Sequence, residues 1–142
     1  FSSYKKDISN IYWGIEGDLK SLEFGKKLVR DFNGKYIEIP KNKKHDYHLA
    51  AVISSNFLYS IIKMSFDIYE NLGIEEKDLL LDLCEKSLFN IKEKGLNKSL
   101  TGPVQRGDYD LIEKEEKVFK EYFNTNNVYD FLIKKLEEIK KL

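Results

Sequence analysis

The chain has 142 residues, the size of one typical domain or of one domain joined to part of another. Hydrophobic residues make up 42% and charged residues 34%, a balance that supports a packed core and excludes a disordered chain. The 24 Lys+Arg equal the 24 Asp+Glu, so the basic excess of a general nucleic-acid binder is missing. A single cysteine, Cys84, has no partner for an intramolecular disulfide, which predicts a reducing, cytoplasmic setting. The opening Phe1-Ser2-Ser3-Tyr4 leads straight into Lys5, Lys6 and Asp7, so no signal peptide is expected there. The missing initiator methionine predicts a fragment or a processed product.

Residues 1–45 read β-α-β. Ile11-Tyr12-Trp13-Gly14-Ile15 is short, aromatic and β-branched, as strands prefer. Asp18 is placed to cap a helix in which Leu19, Leu22, Leu28, Val29 and Phe32 recur at helical spacing, and Asn33-Gly34 stops it. Lys35 to Ile39 alternates, with Ile37 and Ile39 on one face, and Pro40 ends it. Two strands and one helix cannot bury both faces of a sheet. The unit is therefore expected to be the last βαβ turn of a larger α/β domain whose earlier strands precede Phe1.

Residues 46–142 read as helix throughout. The spacing predicts helices over 46–72, 75–94, 108–123 and 128–142, ended by Gly73, Gly95 and the Asn124–Asn127 break. The second carries Leu80, Cys84, Ser87 and Ile91 on its inner stripe, the fourth Phe131, Leu132, Leu136 and Ile139. A loop is expected over 96–107. The first helix is apolar nearly all round from Leu49 to Ile62 and must be enclosed, so a second subunit or a missing domain is expected to cover it. Its longest weakly charged stretch, 47–62, falls short of the ~20 residues a membrane span needs and predicts a buried helix of a soluble protein.

No metal signature, glycine-rich phosphate loop or nucleophile elbow is present. Two segments concentrate unusual residues. On the apolar helix, Val52 and Ser55 lie within ~40° of His48 and Asn56 ~80° away, so His48, Ser55 and Asn56 could line one wall of a cleft. Their plainer reading is local hydrogen bonding. The second segment, Thr101-Gly102-Pro103-Val104-Gln105-Arg106-Gly107-Asp108, pairs a guanidinium suited to carboxylate or phosphate with a carboxylate that could cap the next helix. Its plainer reading is a helix connection with a surface Arg-Asp pair. Lys41, Lys43 and Lys44 form a basic cluster that could touch a cofactor phosphate or simply be a solvated linker.

The stretch "YHLAAVISSNFL" followed by "LTGPVQRGD" resembles the helical C-terminal domain of a family of uncharacterised candidate oxidoreductases. In that family a Rossmann-like NADP-binding domain precedes the helices, and "IYWGIEGD" and "KYIEIPKNKKHDYH" are similar to its tail. The wider resemblance is to pyrroline-5-carboxylate reductase, ketopantoate reductase and the hydroxyacid dehydrogenases. It implies an α+β chain, mostly α: residues 1–45 ending a Rossmann-like domain and residues 46–142 forming an all-α substrate and dimerisation domain. It also implies NADP for the full-length parent, none for this portion alone, and a homodimer acting on a small molecule with an anionic group. Neither nucleic acid nor membrane is expected as a partner. Hydroxyacid dehydrogenases place a catalytic lysine and an asparagine one turn apart; here His48 stands near the lysine's place and Asn56 two turns on. His48 is the candidate acid/base, since imidazole exchanges protons near neutral pH. Ser55, Asn56 and Thr101 would orient substrate, Arg106 would hold its anionic group, and Asp108 would position the loop. The alternative is a non-catalytic interaction or regulatory module that keeps the reductase fold.

Overall fold

Aromatic and β-branched side chains build β1 (Tyr12–Ile15), and the alternating stretch after Gly34 builds β2 (Lys35–Glu38). The two pair in parallel, Tyr12 opposite Lys35 and Ile15 opposite Glu38. They form the one sheet among residues 11–142, which this computed structural model describes. The opening stretch read above for a leader, 1–10, lies outside the described residues. Parallel neighbours need a crossover, supplied by α1 (Leu19–Asp31). Asp18 starts that helix, its Oδ1 accepting the Ser21 amide at 2.8 Å. Bonds from the Ser21 amide and then the Ser21 hydroxyl hold the Asp18 carboxyl below its usual range. Lys26 ties α1 to β2 by donating to Glu38 at 2.8 Å.

The expected β-α-β unit is thus present, with each strand one residue shorter than its pattern. Ile39 is buried, but Ile37 is 45% exposed and Trp13 40%. Two strands and one helix cover too little of the sheet to enclose them.

Seven helices follow among the described residues: α2 (Lys44–Ser54), α3 (Asn56–Asn71), α4 (Asp78–Lys94), α5 (Leu96–Ser99), α6 (Pro103–Arg106), α7 (Tyr109–Phe123) and α8 (Asn127–Lys140). The single helix expected over 46–72 is therefore two, broken at Ser55. The expected 96–107 loop holds two one-turn helices. By length and composition alone, the run from Lys44 to Asn71, 28 residues with a hydropathy of 1.4 in its most apolar window, could cross a membrane. An apolar helix awaiting cover by other protein has the same composition, and Leu49, Ile53 and Phe57 are each about half exposed.

The chain divides into two compact units, Phe1–Ser60 and Ile61–Leu142. In the second, α6 packs on α7 and α8, and α5 on α4 and α8. Val104 of α6 and Ile112 of α7 are its buried apolar residues. Phe131, expected on the inner stripe of α8 with Leu132, Leu136 and Ile139, is 59% exposed. It stands a full ~100° round the helix from Leu132. Ser87 and Ile91 of α4 are likewise exposed.

Tyr129 bridges α8 and α7. Its hydroxyl lies 3.2 Å from both the Ile112 carbonyl and a Glu115 carboxylate oxygen, and its ring is 5.4 Å from that of Phe119. Burial, then the Glu115 charge, pushes the phenol up from 10.0 to about 12. A group whose value rises on folding contributes stability that is complete below its unfolded value and lost as pH climbs through the folded one. The chain is therefore expected to lose stability between pH 10 and about 12. Ultraviolet phenolate titration should show a last step near 12 that Tyr129→Phe removes.

Candidate functional site

The carboxyl ends of β1 and β2 open on the same side of the sheet, where open α/β folds bind ligands. Glu16, Gly17, Asp18, Lys41 and Asn42 line a cleft of about 440 Å³ there. Sequence reasoning left Lys41 as either a phosphate contact or part of a solvated linker, and passed over Glu16 and Asn42. The available signal was Glu16 directly after β1 and Asn42 four residues past the end of β2. The cleft does not fit a dinucleotide pyrophosphate. Two carboxylates face one ammonium, and Asp18 itself occupies the helix N-terminus that a phosphate would need. Lys43, from the same basic cluster, instead reaches Asp46 at 3.2 Å.

The chain enters α2 against this sheet. A Cβ on Gly14 would stand 2.9 Å from Ile39 Cδ1 and 3.1 Å from the Tyr47 ring, so Tyr47 is seated on the bare backbone of β1. That seat fixes the first turn of α2, and His48 follows it on the exposed surface. Seven residues later the helix breaks. Ser55 Oγ donates to the Ala51 carbonyl at 2.7 Å and lies 2.9 Å from the Asn56 side-chain oxygen. Ser55 and Asn56 are thus joined to each other, at the joint between α2 and α3 rather than along one continuous face.

Thr101, Arg106 and Asp108 lie together on the second unit. Gly102, at φ 89°, and Gly107, at φ 71°, bracket α6, with Pro103 at its first position. Such left-handed backbone suits glycine. The Asp108 amide donates to the Pro103 carbonyl at 2.9 Å, and Lys140 Nζ of α8 donates to the Val104 carbonyl at 3.0 Å. Asp108 caps α7, its Oδ1 accepting the Leu111 amide at 3.3 Å. That carboxylate is therefore engaged, and Arg106 pairs with none of the described carboxylates. Thr101 borders an apolar pocket of about 250 Å³ with Ile91, Leu96, Leu136 and Ile139. Lys140 is the residue that sequence reasoning missed; a lysine in a last helical turn gives no hint of a carbonyl 36 residues upstream. Among the described residues no three His, Cys, Asp or Glu side chains converge on a metal position.

A family model described as a domain of unknown function, DUF2520, matches residues 11–135. Among solved structures, the chain is similar to TM1727 from Thermotoga maritima at 40% identity and a TM-score of 0.86. That match covers 94% of this chain and 55% of TM1727. It is also similar to BF3122 from Bacteroides fragilis, named as a candidate NADP oxidoreductase, at 19% identity and a TM-score of 0.76. There the coverage is 95% of this chain and 52% of BF3122, and the likeness is one of fold. The chain thus spans about half the length of each solved relative. The comparison with curated proteins gives no match.

Proposed function

The chain belongs to the DUF2520 family, and on that premise we propose that it is the substrate-binding and dimerisation part of an NADP-dependent oxidoreductase. The observation that carries this reading is a parallel β-α-β unit feeding directly into an apolar helical run, with His48 on α2 and Asn56 opening α3 across the break at Ser55. The fold likeness to BF3122 supports it, and so does the share of each solved relative that the chain leaves uncovered. Kinship with pyrroline-5-carboxylate reductase, ketopantoate reductase and the hydroxyacid dehydrogenases is part of the same proposal.

His48 acts as acid/base, exchanging a proton with the oxygen of a carbonyl or hydroxyl substrate. Asn56 and Ser55 orient that substrate, with Thr101 as a further contact. Arg106, held on a turn fixed by Gly102, Gly107 and Lys140, takes its anionic group. Asp108 keeps the turn in place through its cap. Because the strand-end cleft fits no pyrophosphate, the dinucleotide is held by protein outside this chain. A second copy covers the apolar helix, giving a cytoplasmic homodimer.

Titrating a longer protein, one that carries a strand and a GxGxxG loop ahead of residue 1, with NADPH by fluorescence tests the reading. Micromolar binding is expected, together with a dimer of the 142-residue chain in light scattering. Absence of binding favours the second reading, a helical interaction module that keeps the reductase fold. One feature speaks for that module: neither Val52 nor Ser60, one turn either side of Asn56, is the lysine that hydroxyacid dehydrogenases use. A monomer at high concentration would count against both.

A further inference from the structure

Nothing in the residue types around Ser55 demands a helix break. Val52, Ile53, Phe57 and Leu58 all tolerate helix, and neither proline nor glycine is near. Yet Ser55, at φ −122° and ψ −69°, leaves the α region near −63° and −42°. Its amide bonds to Ala51 O at 3.0 Å and also drifts towards Val52 O at 3.4 Å. Back-bonding by the serine hydroxyl is one cause of bending, since it gives the Ala51 carbonyl a second donor. It is not sufficient. Ser87 makes the same bond to Leu83 O at 2.8 Å within an unbroken α4, and Ser65 reaches Ile61 O at 3.3 Å within α3. What sets Ser55 apart is its neighbour: the Asn56 side-chain oxygen, 2.9 Å away, competes for the same hydroxyl proton.

We infer that Ser55 and Asn56 form a hinge in the helical run Lys44–Asn71, with Asn56 as its latch. While the Asn56 side chain engages Ser55 Oγ, the helix is broken. When it turns away, Ser55 keeps only its back-bond, the i→i−4 ladder closes, and Lys44–Asn71 runs as one helix. A substrate that recruits the Asn56 side chain withdraws the latch, which couples occupancy to helix geometry. That coupling rests on the proposed role of Asn56; the hinge itself does not.

Amide hydrogen exchange on the 142-residue chain, with no ligand, tests the hinge. The amides of residues 56–58 are expected to exchange at least about tenfold faster than those of 63–68, because the break leaves them as first-turn amides of α3 without i−4 acceptors. Asn56→Ala is expected to slow 56–58 about tenfold and leave 63–68 unchanged. Ser55→Ala should do the same, while Ser55→Thr, which keeps the hydroxyl, should leave exchange fast. Equal protection of the two groups in the parent chain, or no slowing in both alanine variants, would overturn the hinge. Neither outcome bears on whether His48 and Asn56 meet a substrate.

Discussion

Replacing His48 with alanine in the full-length protein is expected to lower kcat by about 10²- to 10⁴-fold, the range that a positioned acid/base contributes. KM should change little, because the proposed anchoring charge is that of Arg106 and a group acting only in the transition state affects kcat and kcat/KM together. The expectation follows from placement. Tyr47 is packed on Gly14, so the first turn of α2 cannot rotate freely, and the residue after Tyr47 is presented in a fixed direction at the surface. Arg106→Ala supplies the contrast, with KM raised and kcat nearly kept. Steady-state kinetics of the two variants with NADPH separates the roles. An unchanged kcat in His48→Ala would remove the acid/base assignment and leave His48 as a binding residue at most.

The second large effect is on stability. Gly34→Ala is expected to cost about 1–3 kcal/mol, the usual range for forcing a methyl into a closed site. A Cβ there would stand 2.9 Å from Val29 Cγ1 and 3.0 Å from Trp13 Nε1. Neither neighbour can give way cheaply: Val29 is 4% exposed and stiff at χ1, and the indole is rigid. Because Trp13 is the single tryptophan, its fluorescence reports on this contact during urea unfolding. The midpoint should fall while the slope stays constant. An unchanged midpoint would mean that the α1–β2 turn yields more readily than its packing suggests.

The β-α-β unit was legible because its signals are local. Asp18 caps, Asn33-Gly34 turns and Pro40 stops, each through backbone chemistry written within a few residues. The same holds for Asp108 as the cap of α7 and Gly95 as the end of α4. The break at Ser55 was not legible, because periodicity sees Ser55 and Asn56 as two tolerated helix positions. Only their mutual geometry shows the competition for one proton. The angular argument that put His48, Ser55 and Asn56 on one wall assumed a straight helix, and that assumption ends at Ser55. Phe131 misled for a different reason. Hydrophobicity alone put it on the inner stripe of α8, although it stands ~100° from the Leu132, Leu136 and Ile139 row.

Lys140 makes the far end of α8 part of the architecture around Arg106. Terminal helical turns ordinarily fray at little cost to anything distant. Here the ammonium clasps a carbonyl of α6 36 residues earlier, adding a hydrogen bond to the packing of α6 on α8 and closing a ring through α6, α7 and α8. Fraying of that last turn opens the ring at the turn that carries the guanidinium. Thermal motion at Lys140 is thereby transmitted to the turn that carries the Arg106 guanidinium, and a more rigid α8 terminus would steady the direction in which that guanidinium points.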